Sequence, residues 1–164
     1  MKKSKVIVLL LLLCLQPGFL AAQRAELIRK DVLNPHLDKV LVVAHRGNWS
    51  IAPENSLAAI DSAIQMKVDI VEINTEKVDN SMFVSAGVGT GVWGNTVVSR
   101  TGKVKDKTLA EIKQLRLKDK DGQLTEYTVP TLEEALLAAK GQIMVNLDKA
   151  YPIFDDVYII LRKT

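Results

Sequence analysis

Short apolar runs alternate with helix-like segments from residue 40 onward, and this alternation predicts the architecture of the chain. The run at residues 40–44 is β-branched and lacks polar alternation, which favours a strand buried on both faces, as in a parallel sheet. Three further apolar runs also predict strands. The four predicted strands cover residues 40–44, 69–73, 82–84 and 142–147.

Helix signals lie between and after these strands. Thr108 with Glu111, and Thr131 with Glu134, form the Thr-x-x-Glu pattern of a capping box. Apolar residues after Pro53 recur at three- and four-residue spacing, which is typical of one helix face. The predicted helices cover residues 53–64, 107–117, 131–139 and 154–162, and the Gly-rich residues 87–95 predict a loop.

Strands that alternate with helices predict parallel βαβ units with right-handed crossovers. In such folds the loops after the carboxyl ends of the strands carry the chemistry. His45, Glu72 and Asp148 each lie at or just beyond the end of a predicted strand. All three are therefore expected at one mouth, although four predicted strands are half of what a closed barrel of this kind contains.

The N-terminus has the layout of a secretory signal peptide. Three lysines precede an apolar run at residues 6–15, and a Pro-Gly break leads to Ala21 and Ala22. The run is shorter than the ~20 residues that span a bilayer. We therefore expect residues 1–22 to be removed and residues 23–164 to form one domain exported to the periplasm or beyond the cell. An uncleaved anchor and lipid attachment at Cys14 are the alternatives.

Composition and charge narrow the class of protein. The chain is 48% hydrophobic and 25% charged, which is typical of a globular protein. Its net charge of +3 includes three lysines at the extreme N-terminus, and the other charges alternate in sign. Without a basic stripe, nucleic-acid binding has no support. Cys14 is the only cysteine, so the mature chain can form no internal disulfide.

Six short motifs occur in a characteristic order and spacing. "AHRGNWSIAPENS" followed by "DIVEIN" is a specific signal, whereas each fragment alone is weak. From Val40 to the end, the chain resembles the glycerophosphodiester phosphodiesterase family. The motifs are His45-Arg-Gly47, Pro53-Glu-Asn55, Glu72-Ile-Asn74, Ser99-Arg-Thr-Gly102, Pro130-Thr-Leu-Glu-Glu134 and Asn146-Leu-Asp148.

The resemblance implies a (βα)8 barrel of the TIM type, of which this chain holds about the first four βα units. It also implies cation-dependent hydrolysis of glycerophosphodiesters to glycerol 3-phosphate and an alcohol. His45 would be one of two catalytic histidines, and Arg46 would hold the phosphate through its guanidinium fork. Glu54 and Lys149 would face the substrate. Without the resemblance, His45 fits a structural hydrogen bonder and Glu54 a helix-opening carboxylate.

The same resemblance implies a site for Ca²⁺ or Mg²⁺, which prefer oxygen ligands. Glu72, Asn74 and Asp148 would be the metal ligands. A carboxylate within an apolar strand, such as Glu72, must be paired or ligated, whereas Asp148 also fits a turn-capping role. Asn74 stands where the family has a second carboxylate, so the cation should bind weakly.

The family's second catalytic histidine is absent. Its His-Asp pair maps to Ala86-Gly87 or to Gly94-Asn95, and no histidine follows His45. His36 lies in a polar stretch and is predicted to be a surface residue. The loss of one proton-transfer group typically lowers the rate by two to four orders of magnitude.

The segment at residues 87–95 lacks the Lys-Ser/Thr ending of a P-loop and predicts a flexible loop with an exposed Trp93. Trp49 and Trp93 fit the lining of a sugar- or headgroup-binding mouth and core packing equally well. A half barrel would also leave two unpaired strand edges, which favours self-association. Two functions follow: a phosphodiesterase, or an inactive relative that binds a phosphorylated ligand or a partner chain through Arg46.

Overall fold

The computed structural model describes residues 17–78, 82–85 and 107–164, with side chains from residue 24 onward except at 82–85. The described helices are α1 (Pro17–Val32), α2 (Leu57–Gln65), α3 (Leu109–Lys113), α4 (Leu132–Ala139) and α5 (Phe154–Leu161). The strands are β1 (Val43–His45), β2 (Ile70–Val78), β3 (Met82–Ser85), β4 (Arg116–Lys118), β5 (Leu124–Thr128) and β6 (Met144–Asp148).

Strand β2 is the centre of the larger sheet. Its first half lies between β1 and β6 and is parallel to both, with His45 opposite Glu72 and Asp148 opposite Asn74. Beyond Asn74, β2 extends past these partners, and its last four residues pair with β3 in antiparallel orientation. The prediction that β3 joins a parallel sheet was therefore wrong. In the described residues the sheet has three parallel strands, not four.

The apolar face of this sheet carries the core. Alternate residues of β2 pack against helices α2, α4 and α5, because one face of a strand carries every second side chain. The buried core cluster consists of Ile60, Ala63, Val71, Ile73, Leu132, Ala135, Leu136, Ala139, Ile143 and Val157. The polar side chains of Glu72 and Asn74 therefore lie on the opposite face of the sheet.

Two predicted helix starts are confirmed by capping boxes at Thr108 and Thr131, whereas the helix predicted from Pro53 begins only at Leu57. The Ser56 hydroxyl accepts a hydrogen bond from the main-chain N–H of Ala59, and both predicted capping boxes are formed. In the second box, burial raises the pKa of Glu134, but hydrogen bonds from Lys113 and Thr131 outweigh it and leave the pKa below its usual value. These caps fix where α2, α3 and α4 begin.

The helix predicted for residues 107–117 is shorter than expected. It ends at Lys113, and Arg116–Lys118 form a strand that pairs with Leu124–Thr128 as an antiparallel hairpin. Arg116 is exposed and Leu117 is 2% exposed, so side chains alternate with the period of a strand. The turn is closed by Asp119, whose carboxylate accepts hydrogen bonds from two main-chain N–H groups of the turn.

Helix α1 was not predicted. It packs near the amino ends of β2 and β6, at the end of the sheet opposite the site. The Arg24 guanidinium donates hydrogen bonds to the main-chain oxygens of Val68 and Gln142, just before β2 and β6. The predicted cleavage after Ala22 falls within this helix and stays a prediction. Within the described residues, no helix is both long and apolar enough to cross a membrane; Cys14 and the apolar run at residues 6–15 lie outside them.

Strand β1 is not buried on both faces, contrary to the prediction. Val40 is 86% exposed, and Val42 and Val43 are each half exposed. In the described sheet β1 has one strand neighbour, β2, so its other edge has no strand to cover it. The strand is also shorter than predicted, because pairing begins only at Val43.

Candidate active site

Five polar side chains share one face of the sheet near the carboxyl ends of its parallel strands. In parallel strands, register partners point to the same side, as do residues two apart in one strand. His45 is opposite Glu72, which is opposite Asn146, and Asn74 is opposite Asp148. The prediction that His45, Glu72 and Asp148 meet at one mouth agrees with this register.

Glu72 is the buried centre of the row, with 7% of its surface exposed. One carboxylate oxygen accepts a 3.0 Å hydrogen bond from the main-chain N–H of Arg46, and the other accepts one of 3.0 Å from the side-chain amide of Asn74. The His45 Nε2 atom lies 3.6 Å from Oε2 of Glu72. These contacts meet the requirement that a buried carboxylate be paired.

The loop after β1 presents Arg46. The Nη1 atom of Arg46 donates a 2.8 Å hydrogen bond to Oε2 of Glu54, so the two residues form an ion pair. The Nε–H group of Arg46 is buried and has no hydrogen-bond partner among the described residues. A guanidinium has five N–H donors, so Glu54 engages only part of it.

Asn55 is a site residue that the sequence reasoning did not single out. Its main-chain N–H donates to the carbonyl of Arg46, and its side-chain oxygen accepts from the main-chain N–H of Asn74. Asn55 therefore ties the Arg46 loop to β2. Both Arg46 and Asn55 adopt positive φ angles, near 60°. Asparagine tolerates this conformation better than most residues, which was the available signal in the Pro-Glu-Asn motif.

Gly47 allows the loop to lie against helix α2. A Cβ atom at this position would lie 2.8 Å from the main-chain carbon of Ala59, and φ is +78°. The next residue, Asn48, donates its main-chain N–H to the carbonyl of Ala59. The close approach of loop and helix therefore requires glycine on both steric and conformational grounds.

We expect Gly47→Ala to lower the free energy of unfolding by about 2 kcal/mol, because it combines a backbone clash with an unfavourable φ. Gly122→Ala is the matched control: φ is also +78°, but nothing lies within 4 Å of the added Cβ. Urea unfolding of both variants separates the two contributions. Equal losses would show that the contact with Ala59 contributes nothing.

The predicted metal ligands supply two carboxylates and one amide. Glu72 and Asn74 are in direct contact, and Asp148 is exposed at the register position of Asn74. Within residues 24–78 and 107–164, no group of three or more His, Cys, Asp or Glu side chains could hold a metal ion. Each Glu72 oxygen has a second lone pair, whereas the Asn74 amide directs its nitrogen, not its oxygen, at Glu72; the metal site therefore stays a prediction.

The other predicted positions are either exposed or lie outside the described residues. Lys149 follows Asp148 with φ +62° and is exposed. His36 is exposed, as predicted for a surface residue. The positions of the absent second histidine, residues 86–87 or 94–95, lie outside the described residues, as do Trp93 and residues 99–102.

A family model matches the part of the chain that contains this site. The model of the Glycerophosphoryl diester phosphodiesterase family matches residues 45–158. A glycerophosphodiester phosphodiesterase of Bacillus subtilis is 28% identical over 149 residues, which are 83% of this chain and 48% of that protein. The chain thus spans about half the length, or less, of the curated relatives it matches.

Two solved structures agree with this match. One is an Oleispira antarctica phosphodiesterase in complex with the product sn-glycerol-3-phosphate, with 31% identity, a TM-score of 0.56, and coverage of 66% of this chain and 43% of that one. The other is a glycerophosphoryl diester phosphodiesterase from Parabacteroides distasonis, with 29% identity, a TM-score of 0.64, and coverage of 80% and 48%.

Proposed function

Because the chain belongs to the glycerophosphoryl diester phosphodiesterase family, we propose that it hydrolyses glycerophosphodiesters to glycerol 3-phosphate and an alcohol. The observation that carries the proposal is the arrangement around Glu72. One buried carboxylate holds the main chain of Arg46 and lies 3.6 Å from the Nε2 atom of His45. The residues proposed to bind the phosphate and to transfer a proton, Arg46 and His45, thus both lie beside Glu72.

Arg46 would bind the phosphodiester anion through the donors that Glu54 leaves unused. Catalysis of such a reaction consists mainly of stabilising the charge that develops on the phosphoryl oxygens. Glu54 would keep the guanidinium oriented, and the exposed Lys149 would add positive charge at the mouth. A bound glycerol 3-phosphate in the Oleispira antarctica relative supports this class of product.

His45 would exchange a proton with the attacking or the leaving oxygen, and Glu72 would orient its imidazole. The sequence has only His36 and His45, so a second imidazole from this chain is not available. The other proton transfer would fall to water or another group. We therefore expect turnover below that of an enzyme with two catalytic histidines.

Glu72, Asn74 and Asp148 would hold a divalent cation, Ca²⁺ or Mg²⁺, with weak affinity. When bound, such a cation supplies positive charge that stabilises the developing phosphoryl charge. Two carboxylates and a neutral amide attract it less than a site with a third carboxylate would. The hydrogen bond between Asn74 and Glu72 also competes with coordination.

The parallel strands β1, β2 and β6 with helices α2, α4 and α5 would form the first part of a (βα)8 barrel; the fourth parallel strand that the sequence predicts is not found in the described residues. Strand β1 offers an edge without a described strand neighbour, and the apolar Val40, Val42 and Val43 beside it are exposed. Exposed edges of this kind pair readily with another chain. Self-association through this edge follows as part of the proposal.

The proposed location is outside the cytoplasm, with residues 1–22 as a cleaved signal peptide and residues 23–164 as the exported domain. Its basis is the order of lysines, apolar run and small residues at the N-terminus. Attachment through a lipid at Cys14 is the alternative.

A second candidate function is binding without turnover, and the Asn74–Glu72 hydrogen bond favours it. That contact satisfies Glu72 without a cation, and Arg46 remains able to bind a phosphorylated ligand. The two candidates differ in one measurement. We would incubate the purified mature chain with glycerophosphocholine in Ca²⁺, in Mg²⁺ and in EDTA and measure the release of glycerol 3-phosphate.

Release that depends on either cation would support the phosphodiesterase. Binding of the substrate, measured by calorimetry, without release would support the binding protein. Neither binding nor release at millimolar substrate would overturn both candidates.

A further inference from the structure

A pocket of about 130 Å³ opens beside the Arg46–Glu54 ion pair, and none of the roles above uses it. We propose that it is the subsite for the alcohol headgroup and that it selects a small, uncharged polyol, such as glycerol, over a quaternary ammonium. This inference rests on the proposed function, since it names the substrate class of the same site. The pocket is lined by Trp49, Glu54, Lys118, Asp119 and Lys120.

The pocket lies next to the proposed phosphate position. Glu54 lines it and is also the hydrogen-bond partner of Arg46, at 2.8 Å. The second ester substituent of a phosphodiester held by Arg46 can therefore reach this side. Glycerol 3-phosphate carries only the glycerol that both diesters share, so it serves as the reference ligand without the second substituent that would occupy the pocket.

Two separate segments form the walls, and both are anchored. Trp49 belongs to the loop after β1, and its main-chain N–H donates to the carbonyl of Gly47. The opposite wall is the β4–β5 hairpin, whose turn is closed by the Asp119 carboxylate. The side chains of the lining are thus presented by fixed backbone, and Trp49 remains 47% exposed.

The volume limits the size of the headgroup. Pockets for drug-sized ligands have volumes of roughly 300–1,000 Å³. At about 130 Å³, this one suits a group of a few heavy atoms. Large lipids or oligosaccharides would have to leave most of their atoms outside.

The charges of the lining decide the chemical class. The lining carries two carboxylates and two ammonium groups, and three of the four are already engaged: Glu54 with Arg46, Lys120 with Asp121, and Asp119 with main-chain N–H groups of its own turn. A trimethylammonium group would meet Lys118 and Lys120 as like charges. Hydroxyl groups, in contrast, donate to carboxylates and accept from ammonium groups, while the Trp49 indole covers the apolar side of the carbon chain.

The test measures binding in the His45→Ala background with Ca²⁺ present, so that turnover does not consume the ligands. The ligands are glycerol 3-phosphate, glycerophosphoglycerol and glycerophosphocholine, and the readout is the Kd from calorimetry. We expect glycerophosphoglycerol to bind about tenfold more tightly than glycerophosphocholine. Trp49→Ala and Lys118→Met should each remove most of that preference and leave the Kd for glycerol 3-phosphate unchanged.

Two control variants test whether the effects are specific to this pocket. Trp49→Phe keeps an aromatic surface and should retain the preference. Tyr151→Ala removes a 92% exposed aromatic ring that does not line this pocket, so it should retain the preference too. If glycerol 3-phosphate bound but the two diesters bound with equal affinity, the subsite would be overturned. A preference that persisted in Trp49→Ala and Lys118→Met would overturn it as well. Absence of glycerol 3-phosphate binding would instead overturn the proposed phosphate site.

Discussion

Replacing His45 with alanine is expected to lower kcat/KM for the cation-dependent release of glycerol 3-phosphate by about two to four orders of magnitude. His45 is the only histidine at this end of the described sheet. Its side chain is 64% exposed, so substrate can reach it. Its Nε2 atom lies 3.6 Å from the Glu72 carboxylate. The measurement is the initial rate at several glycerophosphocholine concentrations in Ca²⁺ and in Mg²⁺.

The chain offers a matched control for this substitution. His36→Ala removes the other histidine, which is exposed and lies before β1, outside the site. We expect its rates to equal those of the unmodified chain. If His45→Ala also retained its rate, the assignment of proton transfer to His45 would be wrong. An unchanged Kd for glycerol 3-phosphate in His45→Ala would show that Arg46 is still in place.

The sequence predicted the elements that carry strong local signals. The capping boxes at Thr108 and Thr131 could be predicted because a threonine oxygen and a glutamate three residues on satisfy free N–H groups at a helix start. The strand ends near His45 and Asp148 could be predicted because the apolar runs stop there, whereas the run before Glu72 stops within β2, which continues to Val78. Both signals depend only on neighbours in the sequence.

Other features depend on residues far apart in the chain and could not be predicted in this way. The antiparallel pairing of β3 arises because β2 extends beyond β1 and β6, which no local pattern reveals. The first two residues of β4 were mistaken for the end of a helix, since Arg116–Lys118 is too short for its alternation to outweigh a capping box, and β5 was not predicted. The role of Asn55 depends on its contact with Asn74, nineteen positions away in the sequence.

Asn74 is the described site residue at which the chain departs from the pattern that the family resemblance implies. Its amide donates to Glu72 and takes the place of a charged partner, so the buried carboxylate is satisfied without a cation. A neutral donor at this place stabilises the cation-free protein. It would also lower the gain that a cation brings, which links the proposed metal site and the stability of the sheet to one side chain.

We therefore expect Asn74→Asp to destabilise the cation-free protein by roughly 3 kcal/mol, because it removes a hydrogen-bond donor and sets two carboxylates side by side at a site that is 1% exposed. Ca²⁺ at about a hundred times its Kd should return roughly 2.7 kcal/mol. Urea unfolding in EDTA and in Ca²⁺ measures both effects. Asn34→Asp, at an exposed position, adds the same charge and should change stability little. If Asn74→Asp unfolded at the same urea concentration with and without Ca²⁺, Glu72 and residue 74 would not form a cation site, and the hydrogen bond of Asn74 would serve the fold alone.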